Sequence, residues 1–299
     1  MTNQFTLAFI VKEREILRAF LARQNISKRT LTAVKYEGGQ LLVNGIERDV
    51  RYMLAPEDSV RVVFPPEELS EGLLAEDGEL NIVYEDEAVL LIQKPAATST
   101  IPSFSHRTGT IANFVAGKFL RENIPATVHV VTRLDYDTSG LLCIAKNRHI
   151  HHLLGKQMTE AGFKRRYEAV VEGHLKQDEF LIDACIGRKE GSIIERMVRP
   201  DGQEAKTYVQ VLERFEQNGQ QFTHVALTLQ TGRTHQIRVH MCSIGHPLAG
   251  DDLYGGGRDM IGRQALHCTA LSFQHPVSGK KLSFTNELST DIKTIFPRK

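Results

Sequence analysis

The sequence predicts an α+β protein built from two unequal units, and three observations carry that prediction. Short alternating strand patterns are interspersed with helical apolar spacing along the whole chain. A Pro65-Pro66 break followed by an acidic stretch separates residues 1–66 from the remainder. Thirdly, a polar loop, Thr132-Arg133-Leu134-Asp135-Tyr136-Asp137-Thr138-Ser139-Gly140, stands between two apolar runs that both read as strands. Polar clusters at strand ends are costly to desolvate unless paired, so they are candidate sites; a plain Asp-Thr-Ser-Gly turn would read the same way.

In the first unit, residues 15–22 have helical spacing with Ile16, Leu17, Phe20 and Leu21 on one face. Ser27 is placed to cap a second helix over 28–37 that stops at Gly38-Gly39. A strand over 40–43, an Asn44-Gly45 turn and a return strand predict a hairpin, because Asn-Gly suits the positive φ angles of a type I′ turn. Residues 59–64 close the unit as an alternating strand. Lys28, Arg29 and Lys35 project from one helical face, which most often is simply solvated. Residues 67–79 read as an acidic linker. The larger unit, 80–299, opens with a hairpin (80–84, a turn at 85–87, then 88–93).

The composition suits a globular chain with room for a sizeable core: 299 residues, 41% apolar, 24% charged, net charge +1. Near-neutrality argues against a surface coated in positive charge but leaves room for a local basic groove. Lys164-Arg165-Arg166 and the run 233–240 are basic, whereas 67–87 is acidic. Cys143, Cys185, Cys242 and Cys268 make no CxxC pair, so neither a disulfide framework nor a zinc knuckle is indicated. With no signal-peptide pattern and no apolar run near the ~18 residues that span a bilayer, the expected location is the cytoplasm, away from membranes.

Three segments embed charge in apolar strand patterns: the 132–140 loop, residues 163–173 with Tyr167, and residues 229–240. In the third, strand geometry would send Gln236, Arg238 and His240 to one face, a grouping that fails if the segment is helical. A buried arginine needs a carboxylate, and Asp135 is a candidate partner. His149, His151 and His152 begin an amphipathic pattern and read as a solvated helix face, since no carboxylate or cysteine spacing completes a metal site. His235 and His240 fit either RNA contacts or satisfied strand residues. Asp251-Asp252 with the glycines at 255–257 lacks the Lys-Ser/Thr of a phosphate loop and reads as a turn.

These motifs, in this order, resemble the RluA/RluD-type ribosomal large-subunit pseudouridine synthases. The resemblance runs through Arg133-Leu134-Asp135-x-Asp137-Thr138-Ser139-Gly140-Leu141, Lys164-x-x-Tyr167 and Gly232-Arg233-Thr234-His235-Gln236-Ile237-Arg238-Val239-His240. It continues through Gly245-His246-Pro247, Gly250-Asp251, Leu266-His267 and His275-Pro276-x-x-Gly279. The first unit is similar to S4 RNA-binding domains through Leu17-Arg18-x-Phe20-Leu21, Ile26-Ser27-Lys28-Arg29 and Val43-Asn44-Gly45. The resemblance implies a mixed/antiparallel catalytic sheet with a small S4-like α/β module, acting on structured RNA, with 23S rRNA the expected substrate. It also implies no metal and no cofactor; the oligomeric state is left open, with a monomer as the default. Asp135 is then the catalytic carboxylate, attacking C1′ of the ribose or removing its 2′ proton. Arg238 is its cationic partner, Tyr167 the residue stacked on the flipped base, and Arg133 the filler of the vacated stack. Arg233, His235, Lys28 and Arg29 are the further RNA contacts. The chain departs from the family pattern at Thr132, where a histidine is usual, and at Ala96-Ala97-Thr98-Ser99-Thr100, where a glycine and a short apolar stretch are usual.

Two rivals make different predictions. A haloacid dehalogenase-type phosphatase would use Asp135-x-Asp137 and Gly250-Asp251-Asp252 and require magnesium, but would leave the 232–240 run without a task. A non-catalytic RNA-binding clamp would tolerate Asp135→Asn.

Overall fold

The computed structural model describes residues 4–104 and 106–297. The N-terminal residues bury a core of their own, including Leu17, Phe20, Leu21, Val34, Leu54, Val60 and Val62. Around it runs a four-stranded antiparallel sheet in the order Thr6–Ile10, Ser59–Val63, Gln40–Val43, Ile46–Glu47. The expected helix at 15–22 starts two residues late, at Leu17–Arg23, because Glu15–Ile16 pairs as a strand with Met53–Leu54. The second helix is Lys28–Tyr36, and Ser27 caps it by accepting the Thr30 N–H at 3.1 Å. Asn44 and Gly45 take φ of 52° and 80°, as a type I′ turn requires.

The larger unit is a ten-stranded sheet. Its order is Glu179–Asp183, Lys206–Gln217, Gln220–Leu229, Lys164–Glu172, Leu266–Gln274, Ser139–Ala145, Val89–Lys94, Ile82–Glu85, with Lys281–Thr285 and His129–Val130 paired to the side. Every pairing is antiparallel save the contact between Ser139–Ala145 and Leu266–Gln274. At that parallel contact Gly140 has φ +114°, and a Cβ there would lie 2.4 Å from the Cys268 carbonyl oxygen. Only glycine allows the strands to approach so closely. The approach brings the polar loop over the centre of the sheet.

Two helices, Ile111–Arg121 and Arg148–Thr159, cover part of the sheet. The acidic segment is fastened to them. Glu67 accepts the Arg148 N–H at 2.8 Å and pairs with His129, Asn113 donates to the Leu74 carbonyl at 2.8 Å, and Glu76 accepts the Gly109 N–H at 2.7 Å. The histidine reading needs correction. Of the three, only His152 is exposed; His149 is 3% exposed and stacks on Phe64 of the N-terminal unit, centroids 5.0 Å apart. It is buried because the first unit lands there. Phe5 packs against both cores, beside Phe64.

The strand reading of 232–240 is also overturned. The segment is a loop followed by a helix, Gln236–Ser243, entered through His235 in the left-handed region at φ 57°. Gln236 closes the loop by accepting from the Arg233 N–H at 2.9 Å and the Thr231 hydroxyl at 2.8 Å. The helix is buried on every side through residues 236–241, so it shows no amphipathic period. The proposed grouping of Gln236, Arg238 and His240 on one face therefore fails. His240 is a core residue, bonded to Thr207 and the Ala184 carbonyl at 2.9 and 3.0 Å.

Candidate active site

The polar loop is tied down from the protein side, which frees its other side for a ligand. Thr100 donates to the Leu134 carbonyl at 2.8 Å and accepts the Leu134 N–H at 3.2 Å. Arg263 donates to the Asp137 carbonyl at 2.8 Å, and Gln264 donates to the Thr138 hydroxyl at 3.2 Å. The ammonium of Lys94, fully buried, donates to the carbonyls of Pro95, Thr98 and Tyr136 at 2.8, 2.7 and 3.0 Å. Burial pushes the Lys94 pKa down to about 7, against the opposing pull of Asp135 and Asp137. Thr132, where a histidine was the expected residue, accepts the Cys143 N–H at 3.0 Å, so its hydroxyl serves the strand.

Above this platform lies a cleft of about 570 Å³ whose lining includes Arg133, Asp135, Tyr167, Arg233, His235 and Arg238. Strand Lys164–Glu172 supplies Tyr167; the buried helix supplies Arg238. Arg238 Nη1 donates to Asp135 Oδ2 at 3.3 Å, while Nε and Nη2 grip both oxygens of Asp251 at 2.7 Å each. Its planar guanidinium lies over Tyr254, Cζ 5.0 Å from the ring centroid. Burial opposes the charge of Arg238, but the bonds to Asp251 and the fields of Asp251 and Asp135 raise its pKa above the ordinary arginine value. The guanidinium stays charged beside the Asp135 carboxylate.

His235 stands 4.0 Å from Asp135, and its Nδ1 lies 2.9 Å from the Tyr254 hydroxyl. Burial lowers the His235 pKa despite the attraction of Asp135, and Arg238 lowers it further. Tyr167 is 5% exposed; burial above all, then Cys268, raises its phenol pKa, so it stays protonated. Arg165 donates to the Thr231 carbonyl at 2.9 Å, yet its buried Nε has no partner among the described residues. Such an orphan donor on the cleft lining is costly to leave unpaired.

A model of the RNA pseudouridylate synthase family matches residues 88–243, which include Asp135, Tyr167 and Arg238. The chain belongs to this family. The synthase is 48% identical over 279 residues to an uncharacterized RNA pseudouridine synthase, YjbO, of Bacillus subtilis, covering 93% of this chain and 97% of that one. It is 37% identical over 277 residues to ribosomal large subunit pseudouridine synthase D of Pseudomonas aeruginosa, covering 85% and 82%. Among solved structures it superposes on human RNA pseudouridylate synthase domain containing 1 with a TM-score of 0.57 and 26% identity, over 71% of this chain and 86% of that one. The synthase is thus an isomerase that acts on RNA.

Six of the eight residues singled out in the sequence meet in the cleft: Asp135, Tyr167, Arg238, Arg133, Arg233 and His235. Lys28 and Arg29 do not; both are exposed on helix Lys28–Tyr36 of the first unit. The sequence reading passed over Asp251 as a turn residue, and over Tyr254, Lys94 and Arg165. Asp251 lay inside the Gly250-Asp251 motif, but nothing local distinguishes an aspartate that holds an arginine from one that caps a turn. Among the described residues no group of three or more His, Cys, Asp or Glu side chains could hold a metal ion, and Asp251, which the phosphatase reading needed, is occupied by Arg238.

Proposed function

We propose that the synthase isomerises uridine in large-subunit rRNA, with Asp135 as the catalytic carboxylate. The observation that carries this reading is the placement of Asp135, 28% exposed at its side chain, in a cleft with Tyr167, held by an arginine that is itself anchored from behind. The relatives named for the ribosomal large subunit support the choice of RNA. Isomerisation breaks the N1–C1′ bond, rotates the uracil and forms a C5–C1′ bond; the hydrogen on C5 leaves as a proton and N1 regains one. A carboxylate that accepts a hydrogen bond from Arg238 is placed either to attack C1′ or to take the 2′ proton.

The target nucleotide has to leave its stack, at a cost of roughly a few kcal/mol. Arg133, exposed on the cleft lining, is placed to fill the gap with its planar guanidinium. Tyr167 offers the flipped base a ring to stack on and remains neutral there. The N-terminal unit, in this reading, is an S4-like module that adds affinity for folded RNA through Lys28 and Arg29.

The test is tritium release from unmodified large-subunit rRNA transcripts labelled at C5 of uridine, in EDTA. Wild type is expected to release tritium, while Asp135→Asn binds the RNA and releases none. Binding without release by wild type would instead support a non-catalytic clamp; release by Asp135→Asn at the wild-type rate would remove Asp135 from the chemistry.

A further inference from the structure

Beside the cleft stands a short hairpin in which Ile186–Arg188 pairs antiparallel with Arg196–Val198 and sets Arg188 directly opposite Arg196. Like charges at opposed positions destabilise a strand pair. Other charges of this region are compensated: Lys189 pairs with Glu195, and Arg199 with Asp201. Neither Arg188 nor Arg196 makes an ion pair among the described residues, and Arg233 feels only the nearby Glu204, whose carboxylate is already paired with Lys206. Arg196 Nη1 donates to the carbonyls of Ile193, Ile194 and Glu195 at 3.3, 3.0 and 3.1 Å, and Arg233 Nε to the Glu204 carbonyl at 2.9 Å. These bonds orient the guanidinium groups without neutralising them.

All three arginines line a polar recess of about 390 Å³ that shares Arg233 and Thr234 with the cleft holding Asp135. The Asp201 carboxylate on its wall is already bound by Arg199 Nε and Nη2 at 2.5 and 2.7 Å. The hairpin is also joined to the cleft: the Arg196 N–H donates to the Tyr254 hydroxyl at 3.0 Å, and that hydroxyl meets His235 at 2.9 Å. Two unpaired guanidinium groups and a third only partly offset by Glu204, around one recess at the mouth of a cleft that takes a nucleotide, call for a polyanion.

We propose that this recess seats the phosphodiester backbone of the substrate RNA next to the flipped nucleotide, with Arg188, Arg196 and Arg233 as its ligands. Guanidinium forks bind phosphate oxygens in pairs, and a bound phosphate would remove the repulsion across the hairpin. The proposal rests on RNA being the substrate, but not on the role of Asp135.

The experiment measures binding of an unmodified large-subunit rRNA transcript over a salt series, for wild type, Arg188→Ala/Arg196→Ala and the paired-charge control Lys189→Ala. Tritium release and thermal unfolding are followed in parallel. The double variant is expected to unfold as wild type does, to bind about tenfold more weakly, and to lose about 1.4 from the log–log salt slope, at about 0.7 for each lost single-strand phosphate contact. Its loss in tritium release falls on the half-saturating RNA concentration. Lys189→Ala is expected to leave the slope where it was. An unchanged slope in the double variant, or an equal per-charge loss in Lys189→Ala, overturns the seat. If wild type releases no tritium and the double variant still lowers the slope, the assignment of reaction fails while the seat stands.

Discussion

Arg238 illustrates how one buried charge can be made useful. Its side chain is 8% exposed, and removing a cation from water costs several kcal/mol unless good partners replace the solvent. Asp251, with no exposed side-chain surface, supplies two bonds of 2.7 Å; Asp135 supplies a single longer one at 3.3 Å. The anchor is therefore Asp251, and Asp135 is the partner with oxygen capacity to spare. Asp251→Ala is expected to cost about 3 kcal/mol in thermal unfolding, since it strands a buried guanidinium, and to cut tritium release at least about 100-fold as Arg238 loses its position. Asp251→Asn should recover part of the stability but little of the rate. Asp135→Asn, at a half-open position, should melt close to wild type. Wild-type release by Asp251→Ala would show that Arg238 is held without it.

Helix Arg148–Thr159 is where the two units meet, and its second residue sets a pH dependence. His149 is buried against Phe64, and neither ring nitrogen has a hydrogen-bond partner among the described residues. Burial, helped by His152, pushes its pKa down to about 4 from an ordinary value of 6.5. Between pH 4 and 6.5 the unfolded chain thus binds a proton there that the folded chain refuses. Stability rises with pH across that window and is flat in this respect above it. His149→Phe keeps the ring, removes two orphaned nitrogens and removes the linkage. Its expected outcome is a gain of about 1 kcal/mol at pH 7.5 and a larger gain near pH 5, measured by urea unfolding at both values. Equal gains at both would mean that His149 does not titrate in this window.

The whole molecule carries a formal net charge of only +1, so affinity for a polyanion has to come from where the cations are placed. One group lines the cleft and its neighbouring recess; Lys28 and Arg29 lie apart, on the exposed helix of the first unit. Two separated basic surfaces suit a folded RNA recognised by shape and backbone, because the deep groove of A-form RNA hides its base edges. Lys28→Ala/Arg29→Ala is expected to weaken binding of an rRNA transcript roughly threefold to tenfold and to lower the salt slope by about 1. Filter binding over a salt series checks this; an unchanged slope would leave the first unit without a part in RNA binding.

Much of this was legible in the residues. The Ser27 cap, the Asn44-Gly45 turn, the hairpin now seen at Ile82–Glu85 and Val89–Lys94, and the polar loop before Ser139–Ala145 all follow from signals spanning fewer than about ten residues. The meeting of Asp135, Tyr167 and Arg238 was expected only through the resemblance of three separated motifs to the pseudouridine synthases. The folded chain alone settled the rest. Residues 236–241 alternate like a strand yet form a helix, because a helix buried all round needs no polar face and so carries no period. Asp251 anchors Arg238 from the loop that follows its helix, and Phe64 buries His149 from the other unit; neither partner lies within the pattern of the residue it holds. A local pattern records what a residue can do with its neighbours in sequence. Partners brought together by a sheet, or by one unit landing on another, exist only after the long-range contacts have formed.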